Sequence, residues 1–420
     1  MSENLNPFPF RIRGEQPNLN SDAILADAQE VIGKDMSIEF VETPKDARFG
    51  AVVLRGRLLR PSEELFPHWL AEFNQRGYTP VLQHESSRAS GETTPTAAQA
   101  GTSVVLRIMQ GVVKPSANQP IINLILFVLT LFSTFATGAL YGSAGAEIDS
   151  LSDLFLPQFL ITGWPFALTV MGILTAHEFG HYFAARYHKI AVTLPFFIPM
   201  PPPVGFFGTL GAFIRLKEPI SDRRKLFDVG VAGPLAGIVL AIPLLFVGLS
   251  TSSIIIPTGQ GLLEGNSILY YYAKLTVFGK VLPNPISGED VLMNQVTFAA
   301  WIGLLVTALN LLPVGQLDGG HTIFALLGKR ARIVNVAAMV MMAVLGFLGI
   351  PAIQERIPGL ESIGFFGWFF WLGLIFFIIG PFHPPALDDV TELDPRRRWI
   401  GYLVILIFII TFTPVPLRPI

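Results

Sequence analysis

The residues best suited to chemistry are His177-Glu178-Phe179-Gly180-His181, an HExxH pattern. On a helix, positions i and i+4 share one face, so His177 and His181 can converge on a single ion. Glu178 stands beside the first histidine and can reach a metal-bound water. The chain has no cysteine, so a metal site must use histidines and carboxylates. The pattern predicts a zinc site; the alternative is a metal-free, hydrogen-bonded cluster.

A second motif offers the ligand that two histidines lack, because catalytic zinc usually has three protein ligands and a water. It is Asn-Leu-Leu-Pro-Val-Gly-Gln-Leu-Asp-Gly-Gly-His, residues 310–321. Asp318 lies at a glycine-flanked break in an apolar segment, and such breaks occur where the backbone lines a cavity. The alternative is a simple turn with Asp318 as a helix cap. A glutamate ligand fits less well, since Glu218 and Glu289 fall in predicted loops.

These motifs lie in a chain with the composition of an integral membrane protein. Of its 420 residues, 51% are hydrophobic and only 14% are charged, whereas soluble proteins carry about 25% charged residues. The formal net charge of −2 gives no indication of a nucleic-acid partner. The polar N-terminus lacks the apolar core of a signal peptide, so we expect the mature chain to begin near residue 1.

Seven apolar segments approach the length of about 20 residues that a transmembrane helix needs. They are residues 120–141, 157–185, 227–249, 292–313, 332–351, 362–380 and 399–415. Arginine and lysine concentrate in alternate loops, including 223–225 and 396–398, which predicts a cytoplasmic N-terminus. Both chemical motifs then lie toward the cytoplasmic face. The expected location is a bacterial plasma membrane or an equivalent organellar membrane.

Residues 1–117 differ from this membrane region (118–420), because they have the character of a small soluble α+β domain with a disordered start. The predicted elements are helices near 20–33 and 61–75, strands near 51–54, 79–82 and 103–109, and a loop over 91–101. The full prediction is a polytopic α-helical membrane protein with a soluble N-terminal domain.

One segment between the second and third spans is not helical in pattern. Residues 191–200 alternate apolar residues with prolines, and residues 209–216 predict a strand. An edge strand here would pair with an extended substrate by β-augmentation. The equally weighted alternative is a short β or re-entrant segment, 191–216, that only seals the site.

Together the two motifs resemble the site-2 protease family of intramembrane zinc metalloproteases, peptidase family M50. The resemblance covers about residues 157–330, and Val53-Leu54-Arg55-Gly56-Arg57 before a helix is similar to the chloroplast and cyanobacterial branch. It implies that His177, His181 and Asp318 bind one zinc ion and that Glu178 is the catalytic acid and base. It further implies that Asn310 and Pro313 shape the substrate site, where a transmembrane segment of another membrane protein is hydrolysed within the bilayer.

The sequence departs from many relatives in two places. Residues 250–291 are too few for a PDZ domain, and Gly233-Pro234-Leu235-Ala236-Gly237 ends in Gly where many relatives have Asn. We expect Gly233 and Gly237 to serve helix packing. His383 is expected on the surface without a companion.

Two other classes of function remain open. A catalytically silent relative that acts as a membrane-protein chaperone would normally lose a site residue, and a transporter would leave HExxH without a role. Oligomeric state and substrate identity are not predicted.

Overall fold

The computed structural model describes residues 21–44, 52–85, 101–113, 115–142, 150, 152–257 and 262–419. The predicted disordered start and most of the predicted loop 91–101 lie outside these residues. The helices are α1 (Ser21–Ile32), α2 (Ser62–Gln75), α3 (Pro120–Tyr141), α4 (Pro157–Leu160), α5 (Trp164–Tyr187), α6 (Arg223–Ser250), α7 (Ile268–Phe278), α8 (Gln295–Asn310), α9 (Asp318–Leu327), α10 (Ala331–Leu348), α11 (Pro351–Gln354), α12 (Trp368–Leu374) and α13 (Pro395–Thr411). The strands are β1 (Met36–Glu42), β2 (Val52–Leu58), β3 (Tyr78–His84), β4 (Ser103–Gln110), β5 (Phe196–Met200), β6 (Gly208–Phe213), β7 (Ser253–Ile255), β8 (Leu262–Glu264), β9 (Asp290–Leu292) and β10 (Leu417–Pro419).

The N-terminal region forms an antiparallel sheet in the order β1-β2-β4-β3. Helices α1 and α2 bury their apolar residues in one core with the sheet, including Trp69 and Phe73. Strand β1 was not predicted from the sequence. It is an edge strand whose second half is exposed on both faces, so it lacks the alternation that marks a half-buried strand.

Four helical segments are long and apolar enough to cross a membrane by length and composition: Pro120–Tyr141, Pro157–Tyr187, Arg223–Ser250 and Asp318–Leu348. The other three predicted spans also contain helices, namely α8, α13 and α12 with the π-helical turn Ile375–Ile379 that continues it. Those three are shorter than 18 residues. The number of spans is therefore not fixed by helix length.

Helices α5, α6 and α8 form the centre of the helical region, where their apolar side chains share one core. Helices α5 and α6 approach closely at Gly180. A Cβ at this position would lie 2.5 Å from the carbonyl oxygen of Ala232 and 3.0 Å from the side chain of Ala236. Small residues let helix backbones come together in this way in membranes, and the contact brings α6 against the HExxH face of α5.

Helix α9 begins at Asp318, where the sequence predicted a break or turn. Its carboxylate lies in the first turn, where the helix dipole favours a negative charge. The two glycines that suggested a break instead permit close packing at this helix start. A Cβ at Gly320 would lie 2.8 Å from the carbonyl oxygen of Val314, and a Cβ at Gly319 would lie 2.5 Å from that of Leu312.

Residues 381–394, which we call the strap, connect the helical region with the N-terminal sheet. Leu387 and Val390 of the strap belong to the N-terminal core and are 5% and 0% exposed. The Leu82 amide of β3 donates to the Leu387 carbonyl at 2.7 Å, and the Leu387 amide donates to Ile220 ahead of α6 at 3.1 Å. The strap thus holds the N-terminal sheet against the end of α6.

Candidate metal centre

Three side chains from two helices converge at one point. The Nε2 atoms of His177 and His181 lie 3.2 Å and 3.3 Å from the two carboxylate oxygens of Asp318, and 3.2 Å from each other. The ligand atoms of the three residues all lie within 4.8 Å of one another. The histidines are 2% and 6% exposed. This is the geometry of two imidazoles one turn apart facing a carboxylate from a neighbouring helix.

A backbone carbonyl orients the second histidine. His181 Nδ1 lies 2.7 Å from the carbonyl oxygen of Val229 on α6. A carbonyl can only accept, so Nδ1 carries a proton and Nε2 is the ring nitrogen that remains for a metal. Such a hydrogen bond to the outer ring nitrogen is the usual partner of a metal-binding histidine.

The glycines of α6 make room for the histidines, which corrects the expectation that they serve helix packing alone. A Cβ at Gly233 would overlap the His181 ring at Nε2. At Gly237 a Cβ would lie 3.3 Å from His177 Cβ and Nδ1, a close approach that a shift of a few tenths of an ångström would relieve. Gly233 is therefore required by the position of the His181 ring, and Gly237 much less so.

The turn 311–317 joins the end of α8 to the start of α9 and so connects Asn310 with Asp318. Asn310 Nδ2 lies 3.3 Å from His177 Nε2, which places its amide at the edge of the candidate centre. Pro313 lies within the turn, half-buried. Asn335 of α10 donates from Nδ2 to the Pro313 carbonyl oxygen at 2.6 Å.

Glu178 lies between the two histidines on α5 and is 3% exposed. The backbone of Ile214, the residue that follows β6, lies near its carboxylate. Among the ion pairs of the described residues, neither Glu178 nor Asp318 pairs with a lysine or arginine. Two carboxylates and two imidazoles therefore share a buried space without a lysine or arginine of the described residues.

The structure thus brings together His177, His181, Asp318 and Asn310, with Glu178 adjacent on the same helix and Pro313 in the turn. Sequence reasoning missed the Val229 carbonyl and Asn335. The signal for Asn335 was present, since a polar residue in an apolar segment is a functional candidate. His383, expected on the surface without a companion, is half-buried, and its Nε2 lies 2.6 Å from His321 Nδ1, so the expectation that it stands alone is wrong. Burial lowers the pKa of His383 well below its usual value, and the neighbouring His321 lowers it further.

The long apolar helices and the convergence of His177, His181 and Asp318 are the features of a helical membrane protein with a candidate metal centre. Residues 165–350, which contain both motifs, match the model of peptidase family M50. This match confirms the resemblance to that family which the two motifs predicted.

Curated relatives of the chloroplast type agree with this assignment. The chain is 29% identical over 324 residues to the probable zinc metalloprotease EGY1, chloroplastic, of Oryza sativa subsp. japonica. This alignment covers 71% of this chain and 51% of that protein. It is 27% identical to the protein of the same name from Arabidopsis thaliana, over 74% of this chain and 57% of that protein. The probable zinc metalloprotease EGY3, chloroplastic, of Oryza sativa subsp. indica is 26% identical over 87% of this chain and 61% of its own length. The chain spans about half the length of the first curated relatives, and no solved structure matches it.

Proposed function

We propose that this protein is a zinc-dependent endopeptidase that hydrolyses peptide bonds in transmembrane segments of other membrane proteins. The observation that carries the proposal is the convergence of His177 Nε2, His181 Nε2 and the Asp318 carboxylate within 4.8 Å. Two neutral nitrogens and one carboxylate are zinc ligands of the usual kind, and three protein ligands leave a position open for chemistry. The donor set therefore fits one zinc ion per chain.

In this proposal Glu178 is the proton carrier of the reaction. Zinc at the site supplies a water of lowered pKa and polarises the scissile carbonyl. Glu178 accepts the proton of the attacking water and returns it to the leaving amine. Its burial keeps bulk water from competing for that proton. Asn310 would donate a hydrogen bond to the substrate oxygen beside His177. Pro313 shapes the turn that follows Asn310.

The two-stranded sheet β5-β6 is the element that we assign to substrate binding. A helical segment must unwind before its peptide bonds are accessible, and the freed backbone groups then need partners. Beyond its pairing with β5, strand β6 has no further strand partner among the described residues. The residue that follows β6, Ile214, has its backbone near Glu178. A substrate strand added to β6 would pass beside the proposed acid and base.

We infer seven spans and a cytoplasmic N-terminus for this arrangement. Each of the seven apolar segments contains a helix, and the helices α8, α12 and α13 lie among the four longer ones rather than apart from them. The positively charged loops then share one side of the membrane with the N-terminal sheet. A bilayer and a single-span membrane protein are the partners implied.

The test is cleavage of a model single-span membrane protein in detergent by the wild-type chain and by Glu178→Gln, with zinc content measured for both. The wild type should cleave, and the variant should lose activity by about 10²–10⁴-fold while it keeps its zinc. A Glu178→Gln variant of full activity would exclude Glu178 as the acid and base. If both proteins hold zinc and neither cleaves any membrane substrate, the chaperone-like alternative replaces the enzyme.

A further inference from the structure

Two asparagines are buried in the long apolar helical segments, and each donates to a proline carbonyl of an irregular segment. Asn335 of α10 is 3% exposed and bonds the Pro313 carbonyl at 2.6 Å. Asn123 of α3 is 6% exposed and bonds the carbonyls of Leu194 and Pro195 at 2.9 and 3.0 Å. Their acceptors differ in one respect. Pro313 lies in the turn before Asp318, whereas Pro195 lies just ahead of strand β5.

In the turn 311–317 the backbone amides of Leu312, Val314 and Leu317 donate to backbone carbonyls, whereas the Pro313 carbonyl accepts from the Asn335 side chain. Carbonyl groups without a partner are costly in an apolar environment. The turn is also held on its far side, where Gln316 Nε2 donates to the Ile379 carbonyl at 3.0 Å. That second bond is exposed and therefore weaker than the buried one from Asn335.

The turn sets the distance between Asn310 and Asp318, the residues at its two ends. Asp318 must present both carboxylate oxygens to the two histidines, at 3.2 and 3.3 Å. A shift of the turn by a fraction of an ångström would move the only anionic ligand of the donor set. Groups that orient metal ligands from outside contribute strongly to metal affinity for this reason.

We propose that Asn335 is a positioning residue of the metal centre: its amide holds the Pro313 carbonyl and thereby fixes Asp318 for metal binding. The inference rests on the proposed function. Asn335 itself contacts no ligand of the site. Its role is confined to the turn, and this separates it from Asn123, which makes the same kind of bond to the segment ahead of β5.

The experiment measures the zinc affinity of the purified full-length chain by competition with a chelator, for the wild type, Asn335→Leu and Asn123→Leu. Each substitution removes a buried amide that donates to a proline carbonyl, so both should lower thermal stability. Only Asn335→Leu should weaken zinc binding, by about 10–100-fold. Asn335→Gln, which keeps a donor, should recover part of the affinity. If Asn335→Leu does not fold, Asn335→Ser carries the same comparison, because its hydroxyl is too short to reach Pro313.

The outcomes separate the inference from the function on which it rests. Equal zinc affinity in the wild type and the folded Asn335 variants overturns the inference and leaves the enzyme intact. An equal loss in Asn335→Leu and Asn123→Leu assigns the effect to general loosening, and it too overturns the inference. A folded wild-type chain that binds no zinc overturns the proposed function and this role together.

Discussion

Two of the buried clusters of charged side chains in the described part of the chain differ in what neutralises them. In the first, which we call the α7 cluster, Lys274 is fully buried between two acids. Its Nζ lies 3.2 Å from Asp290 Oδ1 and 3.6 Å from Glu264 Oε1. Tyr270 donates to Glu264 at 3.0 Å, and its ring lies 4.6 Å from the ammonium group. The second cluster is the candidate metal centre, where Asp318 and Glu178 face histidines only.

The two clusters require different partners for their buried carboxylates. Buried charges are stable when they are paired and hydrogen-bonded. The α7 cluster contains its own cation and is therefore complete as a structural element. The metal centre directs two imidazole nitrogens and a carboxylate at one point, and no lysine or arginine of the described residues pairs with it. Two imidazoles and a carboxylate that converge in this way are a donor set that a metal ion completes.

The largest expected effect follows from removal of the protein's own cation. Lys274→Met leaves Glu264 and Asp290 buried without their partner, and we expect a loss of about 3–5 kcal/mol of stability. Thermal unfolding in detergent measures it. The matched control is Lys280→Met, which breaks the half-exposed pair with Glu289 and should change little. A Lys274→Met protein as stable as the control would show that the α7 cluster does not depend on its lysine.

A smaller effect is expected when a side chain is placed in the space that the His181 ring occupies. Gly233→Ala places a methyl group on the His181 ring, so the ring must turn away from Asp318. Zinc affinity should fall by about 10–100-fold, the range for changes that disturb ligand orientation. Gly237→Ala meets His177 only at 3.3 Å and is the control from the same helix. Equal zinc affinities in the two variants would remove the assigned role of Gly233.

The smallest effect concerns pH and the α7 cluster. Burial raises the pKa of Glu264 above its usual 4.5, and Lys274 only partly offsets this. The folded state then binds a proton more tightly than the unfolded state, so this group's contribution to stability is greatest below pH 4.5 and declines as pH rises toward the raised pKa.

Glu264→Gln keeps the oxygen that accepts from Tyr270 and removes the titration. Its melting temperature should exceed that of the wild type by about 2 °C at neutral pH and converge with it in acid. Glu355→Gln, at an exposed position, should follow the wild-type profile throughout. A difference that grows toward acid pH would have the opposite sign and contradict a raised pKa for Glu264.

The two clusters also differ in how far the sequence predicts them. Within the metal centre, the HExxH pattern predicts that His177 and His181 lie on the same face of a helix, because helix periodicity is a local property of the chain. Asp318 required a second motif at equal depth, and a helix start at this residue was expected only in the alternative that made Asp318 a helix cap. Asn335 and the Val229 carbonyl act across helices, and no spacing along the chain encodes that contact.

The α7 cluster has no sequence pattern at all. Lys274, Glu264 and Asp290 lie on three separate short elements, α7, β8 and β9, that the sequence did not predict. The strap was equally hidden, because Leu387 and Val390 lie in a polar stretch and enter a core about 300 residues earlier in the chain. Long-range packing of this kind depends on the assembled fold rather than on local periodicity.

The most direct test of the central claim, that the metal centre is completed by a cation the protein does not supply, is the zinc content of three purified proteins. Wild type and Lys274→Met, if it stays folded, should each hold about one zinc per chain, because three ligands form one site. Asp318→Leu should hold none, since two histidines alone make an incomplete site. A folded wild-type chain without zinc, or an Asp318→Leu chain that retains it, would contradict the account.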